Sequence, residues 1–488
     1  MTRALSAEQV AAWASRPAAD LWILIGDDLP NVETPPDGVP LVTVEDESPF
    51  AVFDAMREAG IDDVRRVGVL AGTTSGVEAG RRAGAGAVIG IGGRELLRAE
   101  PDTVVPPERF GELYALRFAS GRPFRSQVLL NPGPALTTDG VKRAAAGVDL
   151  CHREPEFTLL DEGIREKIRL VAEVGDDWGV VLLSGSGTGA NEASVRAAVR
   201  PGRRALVVVN GVYGDRLRMM AERAGIPVVV HERAWTEPAD PDEIASLLAT
   251  EANLDALVVV HHETTTGLLN PVAEIAAAGR DAGVSVIVDG ISSFGAEELE
   301  LEGSGIDFLT CTSNKCLQGL PGAAFVVVSP AGLGRIGEVP PSSVYLDLSG
   351  YLRGIEVTSV PFTPAIPALA SLDAALDEVL TLGPEEHRRH YETRAAVLDE
   401  VLADLDLEPI VPEGHRSRTV RSIPLPAGVD YAPLHDELKE RGFVIYAGQG
   451  PLAKEIFRIC CMGALDSEVL RAFGAHLRTA IDRQAVPA

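Results

Sequence analysis

Cysteine is scarce in this chain of 488 residues. Its five thiols (Cys151, Cys311, Cys316, Cys460 and Cys461) show no zinc-type C-x-x-C pairing and none of the density of a disulfide scaffold. They suit a reducing cytoplasm. Positive charge is short as well: 44 lysines and arginines stand against 71 aspartates and glutamates, a net charge of −27. Such a surface argues against nucleic acid or an anionic membrane as a partner. It leaves room for an anionic substrate wherever arginines gather in a cleft. No apolar run approaches the roughly 18 residues that a membrane span requires. The opening residues, Met1 to Glu8, carry an early acid and no apolar h-region, so no signal peptide is expected. What remains is a soluble globular composition, 46% hydrophobic and 24% charged. The length predicts two or three domains.

Residues 1–115 alternate short apolar strands (Leu21–Ile25, Val67–Leu70, Ala87–Ile91) with helical spacing over Phe50–Ala59 and Gly76–Ala83. This reads as a small α/β domain. A charged, glycine- and proline-bearing stretch, Arg117–Ser126, reads as a linker. From residue 126 the alternation restarts. Continuous apolar runs at Val180–Leu183, Ala205–Val209, Val228–Val230, Ala256–Val260 and Val284–Val288 are separated by helical segments. Unbroken rather than alternating apolar strands predict a mostly parallel sheet covered by helices on both faces, spanning 126–384 and ending in a helix over Ile366–Leu382. Residues 385–488 read as a smaller α+β domain with strands at Arg421–Leu425, Phe443–Tyr446 and Ile456–Ile459. The fold class is therefore α/β with a small C-terminal α+β domain.

The chemistry gathers around Lys315. It follows small polar residues in Thr310-Cys-Thr-Ser-Asn-Lys315 and precedes a glycine-rich turn and an apolar run, a setting for a lysine that bonds an aldehyde. Upstream, Val284-Ser-Val-Ile-Val-Asp289 reads as a buried strand ending in a carboxylate, which needs a cationic partner at such a depth. A protonated pyridine nitrogen would supply it, so the pair points to pyridoxal 5'-phosphate. In an open parallel sheet, ligands lie beyond the carboxyl ends of the strands. Ser184-Gly-Ser-Gly-Thr-Gly189 stands at such an end, before a helical run from Asn191, and offers Ser186, Gly187 and Thr188 as a phosphate cup. Tyr213, in Asn210-Gly-Val-Tyr-Gly-Asp-Arg216, is a ring for stacking on the pyridine. Thr264, in His261-His-Glu-Thr-Thr-Thr-Gly267, is a donor for the phenolic oxygen. His261 and His262 are adjacent and so point to opposite faces of a strand; no metal site is expected. Arg458, flanked by apolar residues in Phe457-Arg-Ile-Cys460, suits bidentate capture of a carboxylate.

These residues carry a resemblance. From about Leu129 onward the chain resembles class-V, fold-type-I pyridoxal-phosphate aminotransferases, and within them the 2-aminoethylphosphonate–pyruvate aminotransferases. The matching stretches are Leu130-Asn-Pro-Gly-Pro134, Asn210–Gly214, His262–Pro271, Val288–Gly295, Ser313-Asn-Lys-Cys-Leu-Gln-Gly-Leu-Pro-Gly322 and Gly442–Tyr446. The resemblance implies transamination between an amine donor and a keto-acid acceptor. In it Lys315 is the bonding lysine and proton carrier, Asp289 sits on the pyridine nitrogen, and Ser186, Gly187 and Thr188 lie at the phosphate. Tyr213 stacks, Thr264 lies near the phenolic oxygen and Arg458 binds the keto-acid carboxylate. It also implies a homodimer with shared sites, in which Thr363 of one subunit reaches the phosphate of the other. Arg153 and Arg353 are candidates for the second anion. One segment departs: Asp149–Phe157 contains His152-Arg-Glu-Pro-Glu-Phe157, closer to glyoxylate-type class-V enzymes. A serine- or alanine–glyoxylate reaction is thus an alternative, as is a protein that binds the cofactor without turnover. A cysteine desulfurase would need a thiol in a mobile loop, and neither Cys460 nor Cys461 has such a setting.

The N-terminal domain, through Val67–Gly84 and Ala87–Ile91, is similar to the second half of haloacid-dehalogenase-type hydrolases, with phosphonoacetaldehyde hydrolase nearest. The magnesium-binding aspartates of that motif are Gly72 and Gly76 here, and Asp27-Asp28 lacks the nucleophile spacing. Without carboxylates there is neither a metal site nor an aspartyl nucleophile. The segment reads as a degenerate hydrolase remnant.

Overall fold

The computed structural model describes residues 127–485 apart from 148 and 357–359. Ahead of them it describes the segments 21–25, 41–44, 48–59, 61, 67–71, 73–83, 85, 87–91 and 103–105. The expected linker at 117–126, Gly72 and Asp27-Asp28 lie outside the described residues. The chain divides into two units, Met1–Gln127 and Val128–Ala488.

In the first unit, strands β1 (Leu21–Ile25), β2 (Leu41–Val44), β3 (Val67–Ala71), β4 (Ala87–Ile91) and β5 (Thr103–Val105) form one sheet in the order β2-β1-β3-β4-β5. Every pairing is parallel. Helices Pro49–Glu58 and Thr74–Ala83 bury Val52, Ala55, Val77 and Ala79 against Ile23, Ile25 and Val69. The spacing of these apolar residues is the reason both segments are helical. β2 and β5, four and three residues long, escape detection from sequence. So short a run carries little periodic signal.

The second unit is built on seven strands: β7 (Gly179–Gly185), β8 (Arg204–Val209), β9 (Val228–Glu232), β10 (Leu254–Val260), β13 (Ser285–Asp289), β14 (Phe308–Thr312) and β15 (Gly322–Val328). Their order is β7-β15-β14-β13-β10-β8-β9. β15 runs antiparallel to both neighbours, and the other contacts are parallel. The sheet is thus mostly parallel with one reversed strand. β14, Phe-Leu-Thr-Cys-Thr, is a strand that apolar runs do not reveal, because polar residues interrupt it. Residues in β10 and β13 are buried throughout, and each fully buried Val or Ile stabilises by about 1.5–3 kcal/mol. One apolar layer lies on each face of the sheet.

Short pairs complete the unit: β6 (Val128–Leu129) runs with β17 (Phe443–Val444), and β11 (His262–Glu263) pairs with β12 (Leu268–Leu269). β16 (Val420–Pro424), β19 (Ile456–Cys460) and β18 (Tyr446–Ala447) form a three-stranded antiparallel sheet. The single strand expected over Phe443–Tyr446 is split at Ile445, and its halves serve two different sheets. A separate apolar cluster of Leu130, Leu398, Leu434, Phe443, Phe457, Phe473 and Leu477 fills this part. No helix of the described residues is long and apolar enough to cross a membrane.

Candidate active site

Five strands end on one edge of the seven-stranded sheet, and each end delivers a residue of the sequence motifs. β7 gives way to the helix Gly187–Ala198, β8 to the helix Val212–Arg223, and β10 to the turn bearing Thr264. β13 closes on Asp289, and β14 leads to Lys315. Because β7, β8, β10, β13 and β14 all point the same way, residues spread over 130 positions of sequence share one rim.

Lys315 is 8% exposed, and its Nζ donates to Ser292 Oγ at 2.8 Å. Ser292 Oγ also bonds Thr264 Oγ1 at 2.6 Å, so one hydroxyl joins the lysine to the threonine. Neither motif-based reading singles out Ser292, although it lies in the Val288–Gly295 stretch. The Lys315 ammonium lies 5.7 Å from the centre of the Tyr213 ring. The loop beneath is held by Gly319 N–H to Ser313 O at 2.8 Å and Gln318 N–H to Lys315 O at 3.0 Å. Tyr391, fully buried, donates its hydroxyl proton to Cys316 O at 2.9 Å and accepts from Gln318 Nε2 at 3.1 Å. Gly133 explains why Leu130–Pro134 recurs as a block. Its φ is +114°, and a Cβ there would sit 3.2 Å from Lys315 Cε, so a side chain would be both strained and obstructive.

Asp289 is 4% exposed at the end of β13. Its Oδ1 accepts Ile291 N–H at 2.9 Å, and its Oδ2 accepts Asn191 Nδ2–H at 2.6 Å. Thr310 Oγ1 in turn donates to Asn191 Oδ1, which fixes which way the amide faces. Burial pushes the Asp289 carboxyl above its usual range; the two donors, Lys315 and Arg216 pull against that shift. Asn191 is a site residue that sequence reasoning passes over, because it sits inside a helix where nothing marks its direction.

At the helix Gly187–Ala198, Ser186 occupies the N-cap position. The first amides of a helix have no partner within it and attract anions. A Cβ on Gly187 would lie 2.4 Å from Ile291 Cδ1, so that helix end is pressed against the loop following Asp289. Ser184 Oγ accepts Ala365 N–H at 2.8 Å and thereby brings the segment holding Thr363 to the end of β7. Thr363 itself is exposed.

Arg458, on β19, is 2% exposed. Nε donates to Ala447 O at 2.9 Å, and Nη1 donates to Thr264 O at 3.1 Å and to Gln449 Oε1 at 3.3 Å. No carboxylate pairs with it among the described residues, and burial lowers its pKa. A buried guanidinium without an acid partner is an anion site in waiting. Arg353 is different: two-thirds exposed, it is held by Asp347 Oδ2 at 3.4 Å and Ser349 Oγ at 2.9 Å. Arg153 is exposed in the turn before the helix Pro155–Ala172. Arg216, which no motif argument selects, lies 4.9 Å from the Tyr213 ring centre.

His261 and His262 are deeply buried, and burial lowers them to about 4 and about 3. His262 Nδ1 meets Ser292 O at 3.0 Å, which calls for the neutral ring with its proton on Nδ1. The unfolded chain takes up a proton near 6.5 that the folded chain refuses, so the stabilisation is present above pH 6.5 and is lost as pH falls towards 4. Between pH 7 and pH 5 the loss from His262 alone is about 2 kcal/mol. Urea unfolding of His262→Asn is therefore expected to show a pH 7-to-5 decline smaller than wild type by about that amount; equal declines would mean that His262 is protonated in the fold.

Residues 141–458 match the family model described as aminotransferase class-V. Over 365 residues the chain is 37% identical to a 2-aminoethylphosphonate–pyruvate transaminase of Burkholderia thailandensis, covering 73% of this chain and 98% of that one. A Burkholderia pseudomallei enzyme of the same name is 36% identical over 364 residues, 74% of this chain and 98% of its own. Among solved structures, alanine–glyoxylate aminotransferase from Nostoc sp. superposes with a TM-score of 0.71 at 27% identity, covering 74% of this chain and 96% of that one. Pyridoxamine–pyruvate aminotransferase from Mesorhizobium loti gives 0.69 at 26%, covering 74% and 93%. An aspartate aminotransferase of Thermus thermophilus gives 0.67 at 32%, covering 73% and 99%. With a lysine, a buried aspartate and a helix N-terminus collected on one sheet edge, an arginine of the neighbouring sheet bonded to its Thr264 turn, and likeness running the length of these relatives, the chain belongs to the class-V aminotransferases and is a pyridoxal-phosphate-dependent enzyme of fold type I.

Proposed function

We propose that this enzyme transfers the amino group of 2-aminoethylphosphonate to pyruvate, giving phosphonoacetaldehyde and L-alanine. The observation that carries the reading is the match to transaminases of that name over 98% of their length. The residues of the site fit the cofactor. Lys315 is a primary amine in an enclosed setting, and Asp289 is a buried carboxylate whose own donors leave it short of a counter-charge. A cationic ring nitrogen would relieve it.

When bound, pyridoxal phosphate supplies an aldehyde carbon for the amino group and a ring that takes up the electron pair left by C–H cleavage. The protein's part is distributed as follows. Lys315 Nζ would hold the aldehyde carbon and, when free, would carry the proton from the amine-bearing carbon of the substrate and return one. Ser292 Oγ and the Tyr213 ring flank that amine and limit where it can swing. Asp289, oriented by Asn191, would keep the ring nitrogen protonated. Ser186, Gly187 and Thr188 would hold the phosphate at the helix end, and Thr264 would donate towards the phenolic oxygen. Arg458 takes the carboxylate of pyruvate, and Arg153 and Arg353 are the candidates for the phosphonate. Thr363, exposed on one chain, would reach the phosphate of a second copy in a homodimer; exposed Val344 and Leu159 support a covering partner. Five unpaired thiols support a reducing, cytoplasmic setting.

For the first unit we propose descent from a haloacid-dehalogenase-like hydrolase without its chemistry. Its all-parallel sheet with helical crossovers suits that origin. At buried Gly76 a Cβ would meet Ala71 Cβ at 3.0 Å and Ile25 Cγ2 at 3.1 Å, so the position has no room for a metal-binding carboxylate.

The test is the absorbance of the cofactor-loaded protein as single amines are added without a keto acid. Bleaching of the long-wavelength band by 2-aminoethylphosphonate but not by serine is expected. Bleaching by serine alone would transfer the reading to the serine–glyoxylate type, which the Asp149–Phe157 segment favours. No such band after cofactor is supplied would leave only a protein without turnover.

A further inference from the structure

Two of the motifs, Asn210–Arg216 and His261–Gly267, are knitted together by one side chain, Glu263. Its carboxylate is wholly buried. Oε1 accepts Gly214 N–H at 2.6 Å, and Oε2 accepts Tyr213 N–H at 3.3 Å and the Thr265 hydroxyl at 3.2 Å. The two amides belong to the first turn of the helix Val212–Arg223, whose N-cap residue, Gly211, has no side chain to cap it. A carboxylate from another segment therefore takes over the capping, where the positive end of the helix dipole favours a negative charge. No cation pairs with Glu263 among the described residues, and burial raises its pKa to about 7 against the pull of these donors. The fit is tight. A Cβ on Gly211 would lie 2.3 Å from Glu263 Oε2, and one on Gly214 would lie 2.6 Å from Val208 O. At φ 176° Gly211 is merely extended, so what it must provide is space. Gly211 is thus accounted for by a residue about fifty positions away, and Gly214 by the backbone of β8.

We propose that Glu263 is a positioning residue for transamination: by clamping the first turn of the Val212–Arg223 helix, it sets the Tyr213 ring beside Lys315 and ties it to the turn that carries Thr264. The proposal rests on the aminotransferase reading. The Tyr213 ring stands 5.7 Å from Lys315 Nζ, and a misplacement of about 1 Å at a reacting centre can cost on the order of a hundredfold.

The experiment is a double-mutant cycle between E263Q and Y213A, read three ways. E263Q preserves volume while turning one acceptor into a donor that faces an N–H. In the apoprotein, hydrogen exchange of the amides at 213 and 214 is expected to accelerate roughly tenfold or more. In the loaded enzyme, the circular dichroism of the cofactor band should lose most of its amplitude. kcat/KM should fall roughly ten- to a hundredfold in the wild-type background, but by less than about twofold once Tyr213 is alanine. Wild-type exchange and dichroism in E263Q would overturn the clamp, and so would an equally large loss of kcat/KM with and without Tyr213. If the E263Q chain does not accumulate, G211A carries the same cycle, since its methyl group would displace the carboxylate without removing the charge. A wild-type protein that takes up no cofactor would sink the aminotransferase reading, while exchange in the apoprotein still decides the clamp.

Discussion

Lys315→Ala is expected to lower turnover by at least roughly ten-thousandfold, because the bonding amine and the proton carrier are lost together. The environment makes substitution by another base difficult. Nζ has Ser292 Oγ at 2.8 Å as its hydrogen-bond partner, and the nearest histidine of the motifs, His262, is held neutral with its Nδ1 committed to Ser292 O. Lys315→Arg tests the same point with the charge retained, since a guanidinium neither forms the bond to the aldehyde nor gives up its proton. Both variants should lack the long-wavelength absorbance band of the lysine-bound cofactor while keeping the wild-type melting temperature to within a few degrees. Turnover within a hundredfold of wild type would remove Lys315 from the reaction.

Arg458→Ala should have the next largest effect, and it should be confined to one half of the reaction. Truncating one partner of a buried charge pair costs about 2–5 kcal/mol, which is roughly thirty- to several-thousandfold. We expect kcat/KM for pyruvate to fall by roughly a hundred- to a thousandfold. Conversion by 2-aminoethylphosphonate in the absence of pyruvate should change by less than about tenfold. Arg458→Lys should fall between, because an ammonium keeps the charge but cannot present two parallel N–H groups to a carboxylate. Arg458 donates to Thr264 O at 3.1 Å, so part of the loss could reach the donor half through the Thr264 turn. Single-turnover absorbance with each substrate alone separates the two. Equal losses in both halves would mean that Arg458 supports the site as a whole and does not select the keto acid.

Much of this architecture was legible in advance where burial is continuous. The runs at Ala205–Val209 and Ala256–Val260 became β8 and β10, and the helix over Ile366–Leu382 has those bounds in the structure. Apolar side chains that must leave water on both faces of a sheet leave an unmistakable mark in sequence. β14 left none: its Thr310 sits beside Asp289 in register and hydrogen-bonds inward, so a buried strand reads as polar. The reversal of β15 was equally invisible, since an apolar strand looks the same in either direction. Among the candidate site residues, Asp289 and Arg458 stand out by their apolar neighbours, and Lys315 by the small polar residues before it and the glycine-rich turn after it. Asn191, Ser292 and Glu263 do not, because each acts through another residue, and that residue is nowhere near it in sequence.

By itself the sequence determined the chemistry on offer: a buried carboxylate, a glycine-rich helix start and a ring, each placed at or after an apolar run, with an amine and an arginine besides. Such runs must be buried and must end where the sheet meets solvent, so local order already implies a common edge. Tertiary structure alone decided which of these groups meet. Asn191 turns to Asp289 because Thr310 holds its amide, and Lys315 finds Ser292 because β13 and β14 are neighbours. Glu263 caps a helix from a different strand because Gly211 leaves it room. Hydrogen bonds of this kind depend on distances of a few tenths of an ångström between segments far apart in the chain, and those distances exist only once the sheet has closed its order.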